Sequence, residues 1–142
     1  MSCGSPGNPE ARTDMTAPVK LFFDGSCRPN PGRIETTVVA AGRTWHSADY
    51  PAGDNNDAEW LALLAAMAAA RKIGAEDIVL LGDSALVVNQ ANGRAPCRDA
   101  RFRDRLEQFR ALAATFSRVR IRRIARTQNL AGIALERLHG KL

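Results

Sequence analysis

The chain has 142 residues, 45% hydrophobic and 25% charged, with a net charge of +5. That length supports one domain with a real core and leaves no room for two, and the composition excludes wholesale disorder. No run of about 18 apolar residues exists and the N-terminus lacks the apolar stretch of a secretory signal, so a soluble, cytoplasmic monomer without membrane contact is expected. Cys3, Cys27 and Cys97 are odd in number and widely spaced, which fits neither a disulfide framework nor a zinc site.

Residues 1–17 are rich in Gly, Pro and Ser without periodicity and are expected to be a disordered leader to a domain spanning 18–142. Val19 to Phe23 is a short apolar run closed by Asp24-Gly25, which predicts a buried strand ending in a turn. Thr36 to Ala41 and Thr44 to His46 predict two further strands of a meander. From Asp57 to Lys72 the chain is rich in Ala and Leu and predicts a long helix. Ile78 to Leu81 predicts a central strand, after which Asp83-Ser84 caps a helix reaching about Gly93. Phe102, Leu106, Phe109, Leu112 and Phe116 recur at helical spacing, and Arg118 to Arg122 alternates with the period of a strand. A last helix is expected from about Asn129 to Leu138. This order predicts an α/β fold built on a mixed sheet.

The charge is segregated along the chain. Residues 1–93 hold 7 basic and 11 acidic side chains, whereas residues 94–126 hold 11 Arg and 3 acids. Of the 20 basic residues 17 are Arg, whose flat fork suits phosphate, so a polyanionic partner and a merely solvated face are both open at this point.

Three acids are expected at strand ends or helix starts: Asp24 after the first strand, Glu59 in the first turn of the first helix, and Asp83 after the fourth strand. Each alone has an ordinary role, as a turn residue, as part of a capping box with Asn56, and as a helix N-cap. Gathered at one end of a sheet they would repel one another unless cations held them, and hard oxygen clusters suit magnesium.

Four segments carry a resemblance: DGSCRPNPG at 24–32, NNDAEW at 55–60, LGDSALVVNQ at 81–90 and RTQN at 126–129. In this order and spacing they resemble the successive motifs of type 1 ribonuclease H, across nearly all of residues 19–138. The resemblance implies a mixed five-stranded sheet with helices on both faces. It also implies endonucleolytic cleavage of the RNA strand of RNA·DNA hybrids with two Mg2+ ions, or Mn2+, held by Asp24, Glu59 and Asp83. Gly25, Ser26, Cys27, Asn30, Asn55 and Asn56 match positions that touch the hybrid, and Ser84 and Arg28 lie among them. Arg101 and Arg105 belong to a basic segment implied to lie beside the hybrid.

Two departures accompany the resemblance. Ile133 stands where the family carries a fourth Asp, and an isoleucine offers no oxygen. Asn129 and Glu136, one helical turn to either side, are the polar side chains within reach of the ions, although Glu136 is expected to be a solvated helix residue. Asp54 stands where the family often has a Thr that binds a DNA phosphate, with Arg28 a candidate to offset the acid. A hybrid- or RNA-binding module that has lost catalysis is the alternative to an active nuclease.

Overall fold

The computed structural model describes residues 17–140, so all but the last residue of the expected leader, Cys3 included, lies outside the described residues. Five strands form one sheet: β1 (Val19–Cys27), β2 (Ile34–Ala40), β3 (Arg43–Ser47), β4 (Asp77–Gly82) and β5 (Arg118–Arg123), in the order β3-β2-β1-β4-β5. The meander β1-β2-β3 is antiparallel, whereas β4 and β5 run parallel to β1. Four helices complete the fold: α1 (Asn55–Lys72), α2 (Ala85–Ala91), α3 (Ala100–Ala113) and α4 (Leu130–Leu138). This is the mixed five-stranded sheet that the sequence predicts.

Helix α1 packs its small and apolar face, with Trp60, Leu63, Ala66, Met67 and Ala70 fully buried, onto Leu21 and Phe23 of β1. Each large side chain so buried contributes roughly 1.5–3 kcal/mol. Alternation along β1 then separates two neighbours: Gly25 abuts Ala58 of α1, while Asp24 meets the start of α4. Successive strand residues point to opposite faces, so α1 and α4 cover the two sides of the sheet.

The predicted end of the first strand is corrected. β1 does not stop at Asp24-Gly25 but continues to Cys27, because Asp24 through Cys27 pair with Thr37 through Ile34 of β2. Asp-Gly is a turn signal only where the chain is free to turn, and here the ladder with β2 holds it extended. The expected caps also shift by one or two residues. Asp54 caps α1 in a reciprocal box with Asp57, in place of Asn56 with Glu59, and Ser84 rather than Asp83 caps α2. Both shifts release the acid in question from a capping role.

Candidate active site

β1 and β4 are parallel and in register, with Phe22 opposite Leu81. Two residues further along each strand direction stand Asp24 and Asp83, and α1 brings Glu59 to the same edge from its second turn. One carboxylate oxygen of each acid lies within 4.8 Å of the others. Glu59 is drawn in by Gly25, whose backbone N–H donates to Glu59 Oε1 at 3.1 Å. Only glycine permits that approach, since a Cβ on Gly25 would stand 2.1 Å from the carbonyl oxygen of Ala58.

Two side chains from the segment before α4 complete the cluster. Arg126 Nη1 donates to Asp24 Oδ1 at 3.0 Å and to Asp83 Oδ2 at 3.2 Å, and Arg126 Nη2 lies 3.8 Å from Glu136 Oε1. Asn129 is fully buried, and its Nδ2 donates to the Phe23 carbonyl at 3.0 Å and to Asp83 Oδ2 at 2.8 Å. Its Oδ1 accepts from Ala131 N–H and caps α4, so Asn129 orients Asp83 rather than presenting an oxygen to an ion. Glu136 is half-buried and takes Arg28 Nη2 at 2.6 Å, which replaces the solvated residue expected there and leaves Arg28 paired with Glu136 rather than with Asp54.

Burial pushes the Asp24 carboxyl up to about 6, with Asp83 adding to the shift and Arg126 opposing it. Burial, then repulsion from Asp24 and Asp83, drives Glu59 well above the ordinary carboxylate range. Partial burial works against the Arg126 charge, yet Asp24, Asp83 and Glu59 outweigh it and raise its pKa. The donor set fits a hard divalent cation on the structure's own terms. Asp24 Oδ2 is buried with no hydrogen-bond partner, an oxygen that a cation would satisfy.

A cavity of about 450 Å3 reaches the cluster at Glu59 and Arg126 and is further lined by Gly25, Ser26, Cys27, Arg28, Asn55, Asn56 and Ser84. Seven of the residues singled out as hybrid contacts therefore line one cavity with Glu59. Asn30 stands behind it, with its Oδ1 accepting from Asn55 N–H at 3.1 Å. The Cys27 thiol is directed away, donating to Gly53 O at 2.9 Å, whereas Ser26 Oγ is buried without a partner. Arg101 and Arg105 line a separate cavity beside Ile34, Gly53 and Asp57. Arg101 is gripped there by Asp57 at 2.8 Å, Asp99 at 2.9 Å and Asp54 at 3.6 Å, so it is the cation beside Asp54. Ile133 is half-buried on α4, next to Gly132.

Residues 23–137 match the reverse transcriptase-like family. Ribonuclease HI of Halobacterium salinarum is 35% identical, with 87% of this chain and 68% of that enzyme covered. The chain belongs to the ribonuclease H-like family. The crystal structure of the Halobacterium salinarum RNase H1 superposes with a TM-score of 0.80 at 32% identity, covering 87% of this chain and 99% of that one. The N-terminal RNase H domain of Rv2228c from Mycobacterium tuberculosis gives 0.73 at 29% identity, with 88% and 98% covered, although this chain spans 32% of the whole bifunctional Rv2228c protein. LC11-RNase H1, solved in complex with an RNA/DNA hybrid, gives 0.73 at 23% identity over 82% of this chain and 92% of that one, a likeness of fold alone.

Arg126 was not singled out as a site residue, although it opens the RTQN segment. Its contacts to Asp24 and Asp83 span 102 and 43 residues, so only the folded chain reveals them.

Proposed function

We propose that this ribonuclease H-like chain hydrolyses the RNA strand of RNA·DNA hybrids with a divalent cation, Mg2+ or Mn2+, at Asp24, Glu59 and Asp83. The observation that carries this reading is the acid cluster itself: three carboxylates from three elements within 4.8 Å, one oxygen of them buried and unpartnered. A module that only bound nucleic acid would gain nothing from a cluster that repels both itself and phosphate.

The ion would supply charge to hold the scissile phosphate and to ease loss of a proton from water. In the reaction water oxygen bonds to phosphorus, the P–O3′ bond breaks, water gives up one proton, and the 3′-oxygen takes one. The chain's own groups position the partners. Gly25 fixes Glu59, Asn129 fixes Asp83, and the exposed Asn55 and Asn56 amides at the start of α1 offer polar contacts to 2′-hydroxyls in a shallow minor groove. The 35% identity to ribonuclease HI of Halobacterium salinarum supports the same reaction class here. Ile133, standing where the resemblance puts a fourth acid, makes this site poorer in oxygen ligands than the family pattern.

The test is incubation with a hybrid labelled on each strand, in Mg2+ and in Mn2+. Cleavage of the RNA strand alone is expected, with Asp24→Asn reducing the rate at least a hundredfold, about 3 kcal/mol of activation free energy. A hybrid that is bound and left intact under both metals would instead favour the binding module.

A further inference from the structure

The acids are not short of cations even without metal, because Arg126 already lies between two of them. We propose that Arg126 is the second cation of this site, so that the free protein takes a single divalent ion and the guanidinium supplies the remaining positive charge facing the substrate phosphate. The inference rests on the nuclease reading above and deepens it.

Accounting for oxygens leads to one ion. Asp24 Oδ1 accepts from Arg126, Glu59 Oε1 accepts from Gly25 N–H, and Asp83 Oδ2 accepts from both Arg126 and Asn129. Each carboxylate thus keeps one oxygen without a hydrogen bond among the described residues: Asp24 Oδ2, Glu59 Oε2 and Asp83 Oδ1. Three oxygens, completed by water, make a reasonable shell for one Mg2+. A second ion would have to displace the guanidinium from the Asp24 and Asp83 oxygens it now bridges, and Ile133 on the facing helix offers no replacement ligand. Charge agrees, since three carboxylates and one guanidinium leave −2, which one divalent ion neutralises.

The position of Arg126 is built into the fold. It opens the 3-10 turn Arg126–Gln128 that leads into α4, held by the ion-pair chain from Arg28 through Glu136. Gly132 lies beside it, at a distance where an added Cβ would make ordinary contact 3.6 Å from Nη1. Its side chain is 54% exposed and lines the cavity, so the unshared N–H groups of its planar fork can donate to a phosphate oxygen.

The test counts ions by Mn2+ electron paramagnetic resonance and by calorimetry on the whole chain, so it does not depend on turnover. Wild type and Arg126→Lys should each bind one Mn2+. Arg126→Gln, with its folding confirmed by circular dichroism before ions are counted, should bind the first ion at least tenfold more tightly and admit a second. Two ions per wild-type chain, with stoichiometry and affinity unmoved in Arg126→Gln, would overturn the assignment of Arg126 while leaving the nuclease reading intact. No binding at millimolar Mn2+ in any variant would overturn both.

Discussion

Asp24 is fully buried beside Asp83, and its side chain has one oxygen on Arg126 and the other on nothing. Such a group costs stability when ionised, and the sign follows from its raised pKa. Below pH about 4 the carboxyl is protonated in both folded and unfolded chains, and no penalty arises. As pH rises the unfolded chain ionises first, so stability falls between about 4 and about 6 and stays low above that. A shift from 3.8 to about 6 corresponds to something on the order of 3 kcal/mol at pH 7. Asp24→Asn should therefore melt several degrees above the wild type at pH 7 in chelator, and its stability should depend less on pH through that window. Mg2+ should raise the melting temperature of the wild type and leave that of the variant nearly unchanged. Equal melting temperatures in chelator across pH 4–7 would show that Asp24 is not held against its own charge.

Among the elements, those defined by local pattern were the legible ones. Helix α1 announces itself through a run of good helix formers, β4 through IVLL, and β5 through alternation. What was not legible is where neighbours override local signals. Asp24-Gly25 has the composition of a turn, yet Gly25 is needed because β1 and α1 touch there, backbone to backbone. The acids of the cluster were readable from motif and spacing, but the cation among them was not, since Arg126 reaches Asp24 across 102 residues. Nor could composition tell Arg101, locked among three acids, from an arginine left to meet phosphate. The β1–α1 contact yields a direct expectation. Gly25→Ala puts a methyl into the Ala58 carbonyl, which must push the N-terminal half of α1 away and take Glu59 with it. The loss should be about 2 kcal/mol or more, read as a lower urea midpoint. A folded Gly25→Ala with unchanged midpoint would mean that α1 can ride further out without cost.

At the scale of the whole molecule, the segregated charge becomes a spatial arrangement. Arg101, at the start of α3, is tied to Asp54 and Asp57 at the start of α1, so the basic segment between α2 and α3 lies beside the helix end that carries Glu59. Within that segment the arginines are not equivalent. Arg101 shares its charge with three carboxylates, a cluster of net −2 that has nothing to give a phosphate. Arg94 and Arg98 are exposed, and neither has a carboxylate partner among the described residues. If this face meets a hybrid, those two release counterions on binding and Arg101 does not. Each phosphate neutralised contributes about 0.9 to the slope of log affinity against log salt. Measured on an Asp24→Asn background, so that the hybrid stays intact, the double replacement of Arg94 and Arg98 by Ala should lower that slope by about 2. Arg101→Ala should leave the slope where it is and lower the melting temperature, because Asp57, only 7% exposed, loses its partner. The reverse pattern, a slope lowered by Arg101→Ala and indifferent to Arg94 and Arg98, would place the hybrid against the Asp57 side of α1 instead.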